Sequence, residues 1–337
     1  MRTKVFGKTG LKVSELVLGT GNFGQRWGYG SDIEEAGRVL NAYSEAGGNF
    51  IDTADLYQFG QSEEFLGQLL AGRREEFLLT SKFTMGAAAG GGLLVTGNSR
   101  KAMVTSIEAS LKRLRTDRID IYWAHYADGV TPSEEIVRGF DDLARAGKIL
   151  YGGLSNFSAW RTVRASTLAE MTGSVPIAGV QVEYSLVHRT PERDVFQAAA
   201  ALGLGVVTYS PLGGGMLTGK YRNGEQGRQQ GLGGNVFQAE DSEERSQIVD
   251  TLLQIAQEIG SSPDRVAISW VAAKGLIPMV GPKTELQLKS NLGSLDVILS
   301  QEQLGRLDHA SHPALLDRPD KVEGFTGSWP FAGAPVA

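Results

Sequence analysis

The sequence contains no cysteine and only four histidines among its 337 residues. The absence of cysteine excludes disulfides, thiolate nucleophiles and metal sites with cysteine ligands. The four histidines, His125, His188, His309 and His312, do not have metal-ligand spacing, and the last two lie in a stretch that we interpret as a polar tail. We therefore predict no metal centre.

The sequence also lacks an apolar run long enough to span a bilayer, and no apolar signal core follows its basic N-terminus. The formal net charge of −5 argues against a nucleic-acid surface, which would need a basic face. With 41% hydrophobic and 21% charged residues, the composition is typical of a globular protein. These features predict a cytoplasmic protein that binds neither membrane nor nucleic acid. No linker or composition shift divides the chain, so we expect one domain over residues 1–337.

Short apolar runs alternate with amphipathic helical patterns along the chain. The apolar runs lack polar alternation, which indicates strands buried on both faces. Eight such strands are predicted at 16–20, 50–53, 77–82, 119–123, 151–154, 178–182, 205–209 and 276–280. Helical patterns cover 31–46, 63–70, 99–114, 133–146, 158–170, 191–202, 242–259, 263–273 and 284–292. This order predicts an α/β protein with a (β/α)8 TIM barrel, an N-terminal hairpin turning at 8–10, and a C-terminal tail folded over the barrel mouth.

Polar side chains stand where three consecutive strands end. Asp52 ends the second barrel strand and Lys82 the third, while His125 follows the fourth; Tyr57 comes five residues after Asp52. Each of these residues alone is more often structural than functional. Chemistry in parallel barrels sits at the carboxyl ends of the strands, so the four together predict an active site.

The chemistry that suits these residues is proton transfer to a carbonyl oxygen. A free tyrosine has a pKa near ~10, and a nearby ammonium such as Lys82 favours the phenolate. Asp52 would keep that ammonium charged, and His125 would orient the substrate oxygen or share the proton relay. A proton-donating phenol beside a hydride donor makes a carbonyl reductase. No Gly-x-Ser-x-Gly motif supports a Ser-His-Asp hydrolase.

Two longer motifs resemble those of a known family. The run Asn-Phe-Ile-Asp-Thr-Ala-Asp-Leu-Tyr at 49–57 is followed by Ser62-Glu63, and Gly147-Lys148 precedes Gly-Leu-Ser-Asn-Phe at 153–157. From Lys8 to Leu292 the sequence is similar to the aldo-keto reductase superfamily, in its bacterial-type, potassium-channel-beta-like branch. The resemblance implies a barrel that binds NADP(H) across its carboxyl-end rim and interconverts small-molecule carbonyls and alcohols. It also implies Tyr57 as general acid/base, with Asp52, Lys82 and His125 as the other catalytic residues.

The resemblance also assigns cofactor contacts to the loops that follow the strands. Tyr209 would stack on the nicotinamide ring, Lys220 would neutralise the pyrophosphate, and Lys283 would contact a 2′-phosphate, which favours NADP(H) over the alternative NAD(H). The other residues matched to the cofactor site are Gly19, Thr20, Gly21, Asp52, Ser155, Asn156, Gln181, Ser210, Pro211, Leu212, Gly213, Gly281, Thr284, Gln287 and Asn291. One departure is Ser290, where some relatives carry an acid, and it predicts a weaker hold on adenine.

Three other interpretations compete with this one. Gly19-x-Gly21-x-x-Gly24 fits a Rossmann fingerprint, but no helix begins within it. Residues 214–220 imitate a phosphate-binding loop, but Tyr221 replaces the Ser or Thr that must follow the lysine. A nicotinamide-binding regulatory or sensor subunit with little turnover, like the potassium-channel beta subunits, stays open as an alternative function.

Substrate choice is expected to depend on loops that the motifs do not define, at 84–98, 126–131, 213–238 and beyond Ser311. Trp27, Tyr29, Tyr126 and Trp329 are candidates for an apolar pocket wall, which would suit an aromatic, aliphatic or sugar-derived carbonyl. The sequence assigns no oligomeric state.

Overall fold

The computed structural model describes residues 1–88, 92, 94–225, 227 and 238–312. The predicted tail beyond the barrel, with Trp329, lies outside these residues, as do residues 226 and 228–237 of the predicted loop at 213–238. Within the described residues, no helix combines the length and apolar character needed to cross a membrane.

A closed barrel of eight parallel strands forms the centre of the molecule. In chain order the strands are β3 (Val17–Gly19), β4 (Phe50–Asp52), β5 (Leu78–Phe83), β6 (Ile119–Ala124), β7 (Ile149–Ser155), β8 (Ile177–Glu183), β9 (Gly205–Tyr209) and β10 (Ile277–Val280), and β10 closes on β3. Ahead of them β1 (Thr3–Val5) and β2 (Lys12–Ser14) pair as an antiparallel hairpin. The predicted barrel, its eight strands and the hairpin are confirmed.

Helices surround the barrel. They are α1 (Ile33–Glu45), α2 (Gln61–Leu69), α3 (Arg100–Leu114), α4 (Ser133–Arg145), α5 (Ala159–Thr172), α6 (Val195–Leu202), α7 (Glu243–Glu258), α8 (Pro263–Ala273), α9 (Glu285–Leu292) and α10 (Gln301–Ala310). Several begin at a side chain that accepts from the third residue's backbone N–H, as Asp32, Ser99, Ser242 and Thr284 do. These caps explain why the sequence patterns located the helix starts within about two residues.

Two helical expectations were wrong. The pattern at 191–202 is two elements, a 3₁₀ turn at Thr190–Arg193 and α6, separated at Asp194, whose φ of −146° is not helical. The stretch interpreted as a polar tail around His309 is helix α10. It starts with a reciprocal capping box between Ser300 and Gln303, and it buries Leu307 in an apolar cluster with α7 and α8. The Ser-x-x-Gln signal was present in the sequence but only one apolar side chain is fully buried, so the helical pattern was faint.

The hairpin covers the amino-terminal end of the barrel. Phe6, between β1 and β2, is fully buried and meets the Phe50 ring edge-on, with ring centroids 5.7 Å apart. A Cβ on Gly179 or Gly205, near the starts of β8 and β9, would come within 2.6 Å of the Phe6 ring. The apolar core therefore continues through the floor of the barrel, and the polar rim lies at the other end.

Candidate active site

The carboxyl ends of β4 and β5 bring two charged side chains together. Asp52 is the last residue of β4 and lies opposite Thr80 of β5, two residues before Lys82. Because neighbours at i and i+2 on a strand face the same side, Lys82 enters the barrel beside Asp52. The Lys82 ammonium forms an ion pair with Asp52 Oδ2, and both side chains are essentially inaccessible to solvent.

Lys82 has a full set of hydrogen-bond acceptors. Besides Asp52, its Nζ donates to the Thr53 carbonyl at 2.8 Å and to the Tyr57 hydroxyl at 3.0 Å. An ammonium has three N–H donors, so the contacts use all of them. Burial by itself lowers the pKa of Lys82, but the Asp52 carboxylate and the Tyr57 phenol outweigh it, and the pKa is raised. The amine is therefore held as an ammonium against the phenol oxygen.

Asp52 is itself fixed by neighbouring strands. Its Oδ1 accepts from Thr80 Oγ1 at 2.8 Å and from Gln181 Nε2, on the opposite side of the barrel, at 2.9 Å. A buried carboxylate with an ion pair and two further donors meets the condition under which a buried charge is tolerated. Gln181 was expected to bind cofactor; the structure shows that its amide nitrogen also orients the acid.

Tyr57 begins a strained turn. The two residues after it, Gln58 and Phe59, both have φ of 53°, in the left-handed region that non-glycine residues rarely adopt. The Gln58 side chain is fully buried, and it accepts from Trp27 N at 2.9 Å and donates to the Gly21 and Tyr29 carbonyls. Gln58 thus attaches the 21–29 loop to the turn that presents the phenol. Sequence reasoning missed this residue, since no signal in the chain distinguishes its amide from a solvated one.

His125 faces the same phenol. Its ring centroid is 6.1 Å from that of Tyr57, and Tyr126 stacks on its other side at 4.6 Å. Burial, and then the Lys82 charge, place the pKa of His125 well below its usual range. The imidazole is therefore neutral at neutral pH, and it can donate a hydrogen bond to an oxygen held near Tyr57.

A second buried acid lies behind this rim. No described side chain hydrogen-bonds the Asp55 carboxyl, and burial, with the nearby Glu63 carboxylate, raises its pKa to about 7. Arg113, paired with Glu63 at 2.7 Å, and Lys82 oppose that rise, and the buried Tyr122 phenol also faces the group. Asp55 is thus a protonatable group near neutral pH that the sequence analysis did not single out.

A cleft of about 670 Å³ crosses the carboxyl-end rim. The predicted site residues that line it are Gly19, Gly21, Trp27, Tyr29, Tyr57, His125, Tyr126, Gln181, Tyr209, Ser210, Pro211, Leu212, Lys220, Gly281, Gln287 and Asn291. Lining residues that sequence reasoning missed include Asn22, Thr218, Glu225, Ser262, Asp264 and Leu286. The volume falls within the range of small-molecule and cofactor sites.

Other predicted residues lie behind the cleft wall. Asp52, Lys82, Thr20 and Ser155 are fully buried, while Gly213, Lys283 and Thr284 lie beside the lining. Thr20 Oγ1 donates to the Asp52 carbonyl at 3.0 Å and accepts from Ser62 Oγ at 2.9 Å. The Thr20 hydroxyl is therefore bonded to the end of β4 and to the first turn of α2.

One end of the cleft is an aromatic and amide cluster. Asn156, with φ of 59°, donates to the His125 carbonyl at 3.0 Å, and its Oδ1 accepts from the Tyr209 hydroxyl at 2.9 Å. Tyr209 is thereby held with its ring on the cleft wall. Trp27 meets Tyr57 edge-on at 6.2 Å, which adds a second aromatic wall beside the phenol.

At the other end, two loops meet. Asn22 Nδ2 donates to the Gly281 carbonyl at 2.6 Å, and the Lys283 ammonium lies 4.6 Å from the Tyr29 ring centre. Lys283 N donates to Gln287 Oε1 at 2.7 Å, and Thr284 caps helix α9. Tyr29, expected in the substrate wall, therefore lies beside the residue expected to hold a 2′-phosphate.

Comparisons with known proteins agree with this geometry. The model of the Aldo/keto reductase family matches residues 15–312. The chain is 34% identical to the uncharacterized oxidoreductase YrpG of Bacillus subtilis, over 91% of this chain and 95% of that protein. It is 33% identical to an aryl-alcohol dehydrogenase [NADP(+)] of Phanerodontia chrysosporium, with 95% and 91% covered. A probable voltage-gated potassium channel subunit beta of Oryza sativa is also 33% identical, with 96% and 100% covered.

The family model spans most of the chain, and relatives above 30% identity cover almost all of it. The barrel, with the acid, lysine, phenol and imidazole gathered at its carboxyl-end rim, is what the sequence motifs had led us to expect. The chain belongs to the aldo/keto reductase family.

Proposed function

We propose that the protein is an NADP(H)-dependent oxidoreductase that interconverts a carbonyl and an alcohol, with Tyr57 as general acid/base. The observation that carries the proposal is the 3.0 Å contact between the Tyr57 hydroxyl and the buried Lys82 ammonium, on the wall of the large cleft. Membership of a family of carbonyl and alcohol oxidoreductases supports the same reaction class.

The residues of the cleft fit a nicotinamide dinucleotide. Tyr209 offers a flat ring, Asn156 and Gln181 offer amide groups, and Lys220 offers a cation on the lining that forms no ion pair within the described part of the chain. When bound, the nicotinamide group supplies or accepts the hydride at the carbonyl carbon.

The protein's own residues handle the proton. In reduction, Tyr57 donates its hydroxyl proton to the carbonyl oxygen as the hydride reaches the carbon, and in oxidation the phenolate takes the proton back. The Lys82 ammonium stabilises the negative charge that forms on the phenol oxygen, and Asp52 keeps that ammonium in place. The neutral His125 imidazole donates a hydrogen bond to the substrate oxygen and so aligns it with the phenol.

We favour NADP(H) because Lys283 and Lys220 are available for an additional phosphate and the pyrophosphate. The name of the Phanerodontia chrysosporium relative, which specifies NADP(+), supports this choice. For the substrate we favour an aromatic carbonyl, since Trp27 packs edge-on against Tyr57, Tyr126 stacks on His125, and aromatic rings pack well against each other. The same relative is an aryl-alcohol dehydrogenase by name.

The second candidate function is a regulatory or sensor subunit that binds the nucleotide with little turnover. It is favoured by the similarity to a probable channel beta subunit over that protein's whole length. The two functions differ in whether bound nucleotide is consumed.

A panel of aldehydes, ketones and alcohols, followed by nicotinamide absorbance with NADPH and NADH, tests the proposal. We expect turnover of at least one aromatic aldehyde with NADPH and lower kcat/KM with NADH. Tight NADPH binding without turnover of any panel member would instead favour the sensor, and no binding of either nucleotide would contradict both functions.

A further inference from the structure

The adenosine end of the cleft contains an acid that no sequence motif predicted. Asp264, in the first turn of α8, lines the cleft together with Ser290 and Asn291 of α9. Asp264 Oδ2 accepts from Ser290 Oγ at 2.7 Å and from Asn291 Nδ2 at 3.1 Å. The carboxylate is thus hydrogen-bonded to Ser290 and Asn291. At these two positions some relatives carry an acid followed by asparagine.

The second carboxylate oxygen has a different environment. Both hydrogen bonds of the Asp264 side chain fall on Oδ2, and within the described ranges Oδ1 forms neither a hydrogen bond nor an ion pair. Arg265 Nε donates to the Ser290 carbonyl at 3.1 Å, which joins α8 to α9 directly beside the acid. A half-buried carboxylate oxygen that is held in place on a cleft wall is suited to accept a hydrogen bond from a ligand N–H donor.

Two further features at this end point to a ligand. Ser262 Oγ, at the start of α8, is buried and has no hydrogen-bond partner among the described residues, although Ser262 lines the cleft. Leu286 of α9 is 79% exposed on the same lining. A flat ligand with polar edges and apolar faces would cover Leu286 and form hydrogen bonds with Ser262 Oγ and Asp264 Oδ1.

The charge distribution decides which part of a dinucleotide fits here. A carboxylate repels phosphate but accepts from an amino group, and neither Lys220 nor Lys283 forms an ion pair with Asp264 in the described part of the chain. We infer that the Asp264 carboxylate accepts a hydrogen bond from the exocyclic amino group of the adenine base. An acid on α8 would thereby replace the acid that some relatives carry on α9 at the position of Ser290. This inference rests on the proposed function, and under it we expect that serine at position 290 does not weaken adenine binding.

The test is direct binding of NADPH and of its hypoxanthine analogue, measured by titration calorimetry on the full-length protein. The analogue replaces the amino group by a carbonyl oxygen, which would face the Asp264 carboxylate. We expect the wild-type protein to bind NADPH about tenfold more tightly than the analogue, since a site built around a donor rejects the ligand that lacks it.

The Asp264→Ala variant should bind both nucleotides within about twofold of each other, and Asp264→Asn, which is isosteric, should show a preference below about threefold. Asp296→Ala removes an exposed acid outside the cleft lining and is the matched control, with the wild-type ratio expected. The double variant Asp264→Ala/Ser290→Glu returns a carboxylate from α9 and should restore the preference for NADPH.

An unchanged ratio in Asp264→Ala or Asp264→Asn would overturn the assignment while leaving the proposed function intact. A double variant that fails to recover the preference would mean that the single substitution acts through the local fold, which also overturns it. Failure of the wild-type protein to bind either nucleotide would remove the proposed function itself, and with it this inference.

Discussion

The two ends of the barrel are closed by opposite chemistry. At the amino-terminal end the ring of Phe6 packs onto Phe50 and onto glycine backbone, with only apolar contacts. At the carboxyl-terminal end a buried ammonium and carboxylate stand under the phenol of Tyr57. The interior of the first end is filled by apolar side chains, whereas that of the second holds a buried ion pair.

This difference between the two ends of the barrel explains why we place the proposed function at the carboxyl-terminal end only. Apolar packing tolerates little change in volume but offers no group that can move a proton. A buried ion pair contributes little net stability, and often less than an apolar replacement would, yet it creates the field that a proton donor needs. We therefore expect substitutions at the floor to change stability alone and substitutions at the rim to change turnover first.

The largest expected effect is that of Tyr57→Phe. It removes the proton donor but leaves Lys82 bonded to Asp52 and Thr53. We expect kcat to fall about 10²- to 10⁴-fold, with NADPH affinity and thermal midpoint close to wild type, measured by absorbance, calorimetry and melting. Tyr151→Phe, in β7 away from the cleft, is the matched control. Unaltered kcat in Tyr57→Phe would show that the proton donor is another group.

Phe6→Ala should show the reverse behaviour at the floor. A fully buried phenylalanine replaced by alanine destabilises a protein by about 3–5 kcal/mol, from lost transfer free energy and a cavity. Urea unfolding should report this loss, while kcat and KM at 25 °C change little. Val5→Ala, at an exposed position of the same hairpin, should be nearly neutral. A loss of turnover larger than the loss of folded protein would contradict the separation of the two ends.

Asp55→Asn tests the pH dependence behind the rim. The folded-state pKa of Asp55, about 7, lies above the unfolded value, so the folded protein binds the proton more tightly. The contribution of this group to stability is therefore greatest below pH ~4 and is lost as the pH rises to about 7. Relative to wild type, Asp55→Asn should gain stability over that range, on the order of a few kcal/mol at pH 8.

The readout for Asp55 is the unfolding free energy of both proteins at pH 4, 6 and 8. Asp117→Asn, an exposed carboxylate, supplies the control and should show no such trend. A stability difference between Asp55→Asn and wild type that stays constant over this pH range would mean that folding does not shift the pKa of Asp55.

The smallest expected effect is that of Trp27→Ala on substrate ranking. Loss of this wall should raise KM for an aromatic aldehyde about tenfold, while KM for a short aliphatic aldehyde and the Kd for NADPH change less than about threefold. Trp160→Ala, on the outer surface of α5, is the matched control. A larger change in NADPH affinity than in substrate ranking would place Trp27 in the nucleotide site.

The sequence predicted the polar residues at the strand ends better than the residues that line the cleft. Asp52, Lys82 and His125 were readable because strand ends share one rim, and this follows from chain direction alone. Gln58, Asp264 and Leu286 were not readable, since their neighbours in space, such as Trp27 for Gln58 and Asn291 for Asp264, are distant in the chain. The break at Asp194 and the helix at α10 were missed where local signals were weak.

What the sequence determined by itself is the alternation of strand and helix, and with it the barrel and the identity of the polar residues at the strand ends. The tertiary structure alone decided which of these residues face solvent, which bond to one another, and that Asp264 lines the cleft. The physical reason is range: periodicity and capping act over a few residues, whereas the pairing of Lys82 with Tyr57 and of Asp264 with Asn291 exists only after the barrel has closed.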